Sequence, residues 1–331
     1  MNFIIKRIDM EEFLNNLTRN FDVFVPIKKD KNYFYQDFKP GMKIDLDDYQ
    51  NTLYSPKKFF YPFKENIFTY NKGKFKTNLK NKRKKVIFGI RPCDMHGILI
   101  LNKVFSKFYQ DVYHFEKKKA VISIVINCDK AGEHCFCGSF GTNVIKEGFD
   151  LIMTRDGDDY IVETGSKKGK RLIDKNMNFF AKTDKKPNHI ELKYKRKIKS
   201  RNIVNLLKNN FDHPIWDEEA KKCISCAACT ITCPTCHCFD VNDVINFNDA
   251  KIDRVRTWDS CQIKDFTRIF GNFDVRGDRA SRLKHRILCK LNYFMERYGL
   301  FGCTGCGRCI ESCLEKIDMT EIINKIGESE K

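Results

Sequence analysis

At 331 residues, 42% of them hydrophobic and 28 of them Phe, the chain can bury a substantial core and exceeds the usual size of one, so two domains are expected. Its formal charge of +18 would suit anionic partners, but no uncharged apolar run reaches the length of a membrane span. Lys6, Arg7 and Asp9 interrupt the N-terminus, which argues against a secretory signal, and a cytoplasmic location is expected.

In chain order, Asp9 can cap a helix running to about Asn20, with Phe13, Leu14 and Leu17 on one face. Phe21 to Ile27 alternates as a strand, and Pro26 predicts an edge position for it. Between Lys28 and Lys85, aromatic clusters alternate with Lys and Pro and no element is drawn. Lys85 to Ile90 is a β-branched run, Asp94 a plausible cap, and Met95 to Phe108 has helical spacing before a further strand at Ala120 to Ile126. Strand, helix and strand at this spacing predict a right-handed βαβ unit whose strands are parallel, with their C-terminal ends side by side. Phe149 to Thr154 and Tyr160 to Glu163 flank Asp156, Gly157 and Asp158 as a hairpin. The lysine-rich stretch from Lys167 to Lys199 reads as a solvated linker, and the rest as mostly helical with cysteine-bearing loops, including helical patterns at Ile263 to Phe270 and Arg279 to Tyr298. The expected class is therefore α+β: an N-terminal α/β domain with a βαβ unit over residues 1–199 and a mainly helical C-terminal domain over 200–331.

Sixteen cysteines in a large chain without an export signal point to metal or cluster ligation rather than to disulfides. Cys223, Cys226, Cys229 and Cys233, followed by Pro234, match the ferredoxin run C-x2-C-x2-C-x3-C-P, and Cys303, Cys306, Cys309 and Cys313 repeat the spacing with Leu314 in place of proline. Three thiolates on one tight loop cover three corners of a cubane, and in two-cluster ferredoxins the fourth ligand comes from the other motif. The expected sets are thus Cys223, Cys226, Cys229 and Cys313 for one [4Fe-4S] cluster, and Cys303, Cys306, Cys309 and Cys233 for a second, which makes 200–331 a helical dicluster ferredoxin domain. Gly302, Gly305 and Gly307 let the second loop wrap closely. Zinc is the rival, although structural zinc sites usually pair two C-x2-C units.

A third constellation, Cys93, Cys128, Cys135 and Cys137, lies on the two loops that leave the C-terminal ends of the parallel strands, where open sheets bind ligands. An iron–sulfur cluster, zinc and buried free thiols are all compatible with it. Cys236, Cys238, Cys261 and Cys289 read as packing or as neighbours of the ligands, with His237 a less natural replacement ligand. There is no dinucleotide-binding glycine motif after a strand, no P-loop and no nucleophile elbow, so flavin, nicotinamide and the substrate-reducing centre would belong to other polypeptides. The basic run Arg254, Arg256, Arg268, Arg276, Arg279, Arg282, Lys284 and Arg286 reads as a solvated surface or a docking face for acidic partners.

At Arg91 to Asp94 (RPCD), Cys233 to Phe239 (CPTCHCF), Trp258 to Cys261 (WDSC) and Cys303 to Cys309 (CTGCGRC), the chain resembles the β subunit of cytoplasmic sulfhydrogenase-type [NiFe] hydrogenases and its counterpart in anaerobic sulfite reductase. The resemblance implies an electron-transfer subunit with three [4Fe-4S] clusters and no catalytic site of its own. It implies two partners, one binding FAD and NAD(P)H and the other a catalytic subunit with a [NiFe] centre or sirohaem. No nucleic-acid or membrane partner is expected. The alternatives are a nucleic-acid-binding protein with structural iron–sulfur clusters, which the charge would suit, and a stand-alone iron–sulfur reductase.

Overall fold

The structure is a computed structural model that describes residues 2–77, 79, 83–188, 190–248 and 251–330. Its larger sheet is built from β1 (Asn2–Lys6), β2 (Asp22–Lys29), β3 (Asn32–Asp37), β6 (Lys85–Ile90), β7 (Val121–Ile126), β8 (Leu151–Asp156), β9 (Asp159–Thr164) and β10 (Ala181–Thr183), in the order β10-β1-β9-β8-β7-β6-β2-β3. The pairs β2–β6, β6–β7 and β7–β8 are parallel, and the outer pairs are antiparallel. The expected βαβ unit is present, with α3 (Pro92–Val104) and α4 (Val112–Ala120) between β6 and β7.

Alternation divides the core between the two faces of this sheet. On one face Val86, Phe88, Ile122 and Ile124 pack with Phe13, Leu14 and Leu17 of α1 (Met10–Thr18). On the other, Ile87, Ile90 and Val125 pack with Met95 and Ile98 of α3. Ile87 and Ile90 share a face although they are three apart, because Gly89, at φ +80°, inserts an irregularity into β6. The same kink corrects the edge expected at Pro26. β2 is an interior strand, but it pairs with β6 only from Asp22 to Phe24, and Gly89 lies against the proline ring, where an added Cβ would come within 2.9 Å. The missing N–H therefore faces no partner strand.

A smaller sheet, ordered β11-β12-β4-β5, joins β4 (Lys64–Asn71) and β5 (Lys74–Thr77) to β11 (Phe239–Asn246) and β12 (Lys251–Trp258). Pairing of β4 with β12 thus crosses the position between residues 199 and 200. A third core, including Leu207, Trp216, Ile287, Leu291 and Ile323, unites the helices α6 (Ile203–Asn209), α7 (Ile215–Lys222), α9 (Arg279–Leu288) and α12 (Met319–Ser329).

Several local expectations need correction. The segment from Lys28 to Lys85 holds β3, α2 (Lys57–Phe60) and the β4–β5 hairpin, whose Lys-rich outer faces hide the alternation. The lysine-rich linker begins with α5 (Lys167–Asp174), capped by Ser166 and anchored by Leu172 and Ile173, and continues into β10. Ile263 to Phe270 holds a 3₁₀ turn and a two-residue strand rather than a helix, because Ile269 and Phe270 are exposed and have no core face to join. Asp94 is not a cap; Arg91 occupies that position and Asp94 is buried. Among the described residues no helix is long and apolar enough to cross a membrane.

Candidate cluster sites

The two ferredoxin-like motifs fold alike. Ala227 (φ +64°) and Gly307 (φ +78°) each reverse the chain and open a single helical turn, α8 (Ala228–Ile231) and α11 (Arg308–Glu311), which carries the third cysteine of its motif. The two turns pack side by side, and the Thr232 and Ser312 hydroxyls are 3.2 Å apart, immediately before Cys233 and Cys313. This packing carries the last cysteine of each motif toward the first three of the other. Cys223, Cys226, Cys229 and Cys313 line one cavity, together with Cys309 and Arg286. Cys233, Cys303, Cys306 and Cys309 lie within one another's electrostatic reach.

The third constellation is assembled by the residues of the RPCD segment. Pro92 begins α3 directly after β6 and places Cys93 in its first turn. The buried Arg91 guanidinium donates to the carbonyls of Gln50 (2.9 Å), Ile126 (3.1 Å), Asn127 (2.8 Å) and Tyr49, tying the end of β6 to the end of β7, where Cys128 follows. Asp94 accepts two bonds from Arg308, at 2.6 and 2.8 Å, and both side chains are fully buried. Arg308 sits between Cys306 and Cys309, so this ion pair pins the third constellation to the second motif. Cys93, Cys137 and Cys306 are in contact, with Tyr194 against them and its hydroxyl 3.5 Å from the Cys137 sulfur.

The two cysteine loops touch along their backbones. Phe136 N–H donates to the Gly305 carbonyl at 2.8 Å, and the Thr142 hydroxyl to the Thr304 carbonyl at 2.6 Å. A Cβ on Gly305 would stand 2.6 Å from the Cys137 backbone, and one on Gly307 would stand 2.4 Å from the His134 carbonyl oxygen. Glycine at these two positions permits both the left-handed backbone and the close approach.

Burial pushes the thiols upward: Cys135, Cys137, Cys229 and Cys306 to about 12, and Cys93, Cys128, Cys303 and Cys309 in the same direction. They are protonated thiols in the bare protein, and a metal core entering them displaces protons. Cationic groups wait beside them. Arg286, Lys290 and Lys57 are buried, and their electrostatic neighbours are thiols: Cys229, Cys309 and Cys233 for Arg286, and Cys236 and Cys233 for both lysines. Arg286 Nε lacks a hydrogen-bond partner, as does the buried Thr304 hydroxyl. A cation enclosed among neutral thiols is poorly solvated, whereas an anionic tetrathiolate cluster supplies its counter-charge. Among the described residues no three His, Cys, Asp or Glu side chains converge as ligands of one ion. The first set lines a cavity instead, the arrangement that a polynuclear core with thiolates at its corners requires.

Three of the eight residues of the expected basic surface are structural. Arg256, Arg282 and Arg286 are buried: Arg256 pairs with Glu65 (2.7 Å) and Asp111, and Arg282 donates to the Arg276 and Gly277 carbonyls at 2.9 and 2.8 Å. Arg254 and Arg268 are closed on Asp243 and Asp265. Composition could not separate these roles, because the partner carboxylates lie far away in sequence or on the same exposed turn.

The structure also brings together the four cysteines that spacing left apart. Cys236 lies beside Cys233, and Cys238 beside Cys261, whose thiol that neighbour holds below its ordinary value. Cys289 lies within the field of Cys261 and Cys233. His237, a weak candidate ligand, is held neutral by burial, at about 4, and its ring lies 5.6 Å from that of Phe294.

A family model described as a 4Fe-4S dicluster domain matches residues 222–317. Over 326 residues, 96% of this chain and 96% of the relative, the sequence is 32% identical to sulfhydrogenase 2 subunit beta of Pyrococcus furiosus. No solved structure matches the chain. The matched domain holds the paired motifs, and the long relative extends the likeness through the RPCD unit that the Asp94–Arg308 pair binds to them. The chain belongs to the sulfhydrogenase β-subunit family and is an iron–sulfur subunit of a sulfhydrogenase-type enzyme.

Proposed function

We propose that this subunit relays electrons through three [4Fe-4S] clusters, between a partner that binds FAD and NAD(P)H and a catalytic partner with a [NiFe] centre or sirohaem, in the cytoplasm. The ligands are Cys223, Cys226, Cys229 and Cys313 for the first cluster, Cys303, Cys306, Cys309 and Cys233 for the second, and Cys93, Cys128, Cys135 and Cys137 for the third. When bound, such clusters supply one-electron storage at potentials that hydrogen bonding and burial adjust. The protein's own residues enclose them, hold cations beside them and keep the loops in register. Residues 1–199 carry the third cluster and residues 200–331 the other two.

The observation that carries this reading is the contact of Cys306 with Cys93 and Cys137, together with the place of Cys309 on the cavity of the first set. The three thiol sets form an unbroken row, so no wide gap of protein interrupts electron passage. An opening lined by Asn51, His134, Cys135 and Cys306 reaches the row at one end, and Cys226 is exposed at the other. Apolar side chains on β11 and beyond, including Phe247, Phe270 and Phe273, face solvent and provide a surface for a partner protein.

The test is reduction of the oxygen-protected complex by NAD(P)H. The wild type is expected to reduce all clusters, and Cys93→Ala to lose about four iron atoms per chain and slow electron passage between the partners. Unchanged iron content and rate in Cys93→Ala would remove the third cluster from the path.

A further inference from the structure

Cys236, Cys238, Cys261 and Cys289 lie outside the three ligand sets, yet the fold gathers them beside the second. β11 and β12 pair Phe239 with Trp258, and Asp259 N–H donates to the Cys238 carbonyl at 3.0 Å, so Cys238 and Cys261 emerge at the same end of the hairpin. The two thiols lie within one another's electrostatic reach, and the Gln262 amide lies 3.7 Å from the Cys261 sulfur. Cys289 comes from a different element, at the start of a π-helical turn, Cys289–Tyr293, that widens the helix between α9 and α10 (Phe294–Tyr298), and lies within the field of Cys261. Such turns are rare and occur mostly where a helix must present a side chain to a site.

Two buried lysines face these cysteines as well as Cys233 of the second set. Lys290 is 4% exposed and Lys57 is 2% exposed. Lys290 donates to the Thr235 hydroxyl at 2.9 Å, and Lys57 to the Cys236 carbonyl at 3.0 Å while standing 3.7 Å over the Trp258 ring. Neither is matched to a carboxylate among the described residues; cysteines surround both. The second cluster, through Cys233, supplies part of their counter-charge; neutral thiols or disulfides at these four cysteines would leave two enclosed ammonium groups with that alone. Four thiolates on a metal core carry the required negative charge, and the remaining N–H donors of Lys290 can then bond to sulfur.

We propose that Cys236, Cys238, Cys261 and Cys289 hold a fourth iron–sulfur centre, with Lys290 and Lys57 as its counter-charges. Zinc would need its four sulfurs at about 2.3 Å from a single point, and the side chains here do not converge in that way. Because Cys236 lies within the electrostatic reach of Cys233, the centre adjoins the second cluster and branches from the middle of the row. It lies at the root of the exposed β11 strand, so the branch leads toward the apolar surface of that hairpin.

Iron, zinc and electron paramagnetic resonance measurements on the oxygen-protected complex test this, comparing wild type with Cys238→Ser/Cys261→Ser, Cys289→Ser and Lys290→Met. The wild-type chain is expected to carry about 16 iron atoms, and the double variant to lose about four while keeping the signals of the other centres. Cys289→Ser should perturb that same signal if the double variant folds poorly, and Lys290→Met should shift the same centre to a lower potential, since removing a cation disfavours the added electron. Iron content and signals unchanged in both cysteine variants would overturn the proposal, and so would one zinc lost in place of iron. If Cys93→Ala leaves iron unchanged while the double variant loses about four, the three-cluster reading fails and the fourth centre stands.

Discussion

Asp94 and Arg308 do with one ion pair what no amount of cysteine spacing could do. The pair is fully buried and doubly bonded, and Arg308 Nε also donates to the Thr52 carbonyl at 2.6 Å. It joins the first turn of α3, which carries Cys93, to the turn that carries Cys309. Removing one partner strands a charge in a dry site, so Asp94→Asn or Arg308→Met should each cost about 3–5 kcal/mol. The double variant Asp94→Leu/Arg308→Met should recover much of that loss, because two apolar groups need no counter-charge. Thermal unfolding of the oxygen-protected protein checks this; single variants as stable as wild type would show that the pair is not holding the constellations together. Elsewhere, residue-scale chemistry is readable in the sequence: the glycines of CTGCGRC predict close wrapping, and Gly305 and Gly307 lie against the backbone of the Cys135–Cys137 loop.

Among the elements, the smaller sheet is the one that ties the two halves of the sequence. β12 docks on β4, and Arg256 carries the joint through Glu65 and Asp111, whose carboxylate also caps α4 by accepting from the His114 N–H at 2.9 Å. Burial alone would push the Asp111 carboxyl up, but the bonds from Arg256 and the His114 N–H outweigh it and hold the group below its ordinary value. A carboxyl depressed by folding adds stability above its unfolded value of about 3.9 and loses that stability as the pH falls through the folded value. Arg256→Leu should therefore destabilise the protein at neutral pH, and its deficit against wild type should shrink below about pH 4. A deficit independent of pH in unfolding measurements would mean that packing, not the ion pair, accounts for it. This sheet is also the least legible part of the fold. The βαβ unit and the β8–β9 hairpin are marked by β-branched runs and a Gly157 turn, whereas β4, β5 and β11 carry Lys, Asn and Asp on open faces and have no core to impose an alternation. Pairing between residues almost two hundred positions apart leaves no local signal, and the linker expected at Lys167 is likewise a helix held by two buried residues, Leu172 and Ile173.

Across the whole molecule, the sheet sets the third thiol constellation at the ends of β6 and β7, the helices set the paired motifs, and the loops from Cys135 and Cys303 press the two assemblies together. The motif cysteines are legible because cluster loops fix their spacing; Cys236, Cys238, Cys261 and Cys289 are not, since a hairpin and a π-turn, rather than a loop, unite them. The formal +18 of the chain is similarly reinterpreted, because several of its cations are buried beside the cysteines, where an oxidised [4Fe-4S] centre with four thiolates would bring about −2. The account rests on the exchange of last ligands between the motifs. Electron paramagnetic resonance of the dithionite-reduced, oxygen-protected protein tests it directly in four single variants. Cys226→Ser and Cys313→Ser are expected to alter one and the same cluster signal, and Cys306→Ser and Cys233→Ser another; pairing of Cys313→Ser with Cys306→Ser, or zinc in place of iron in these loops, would contradict it.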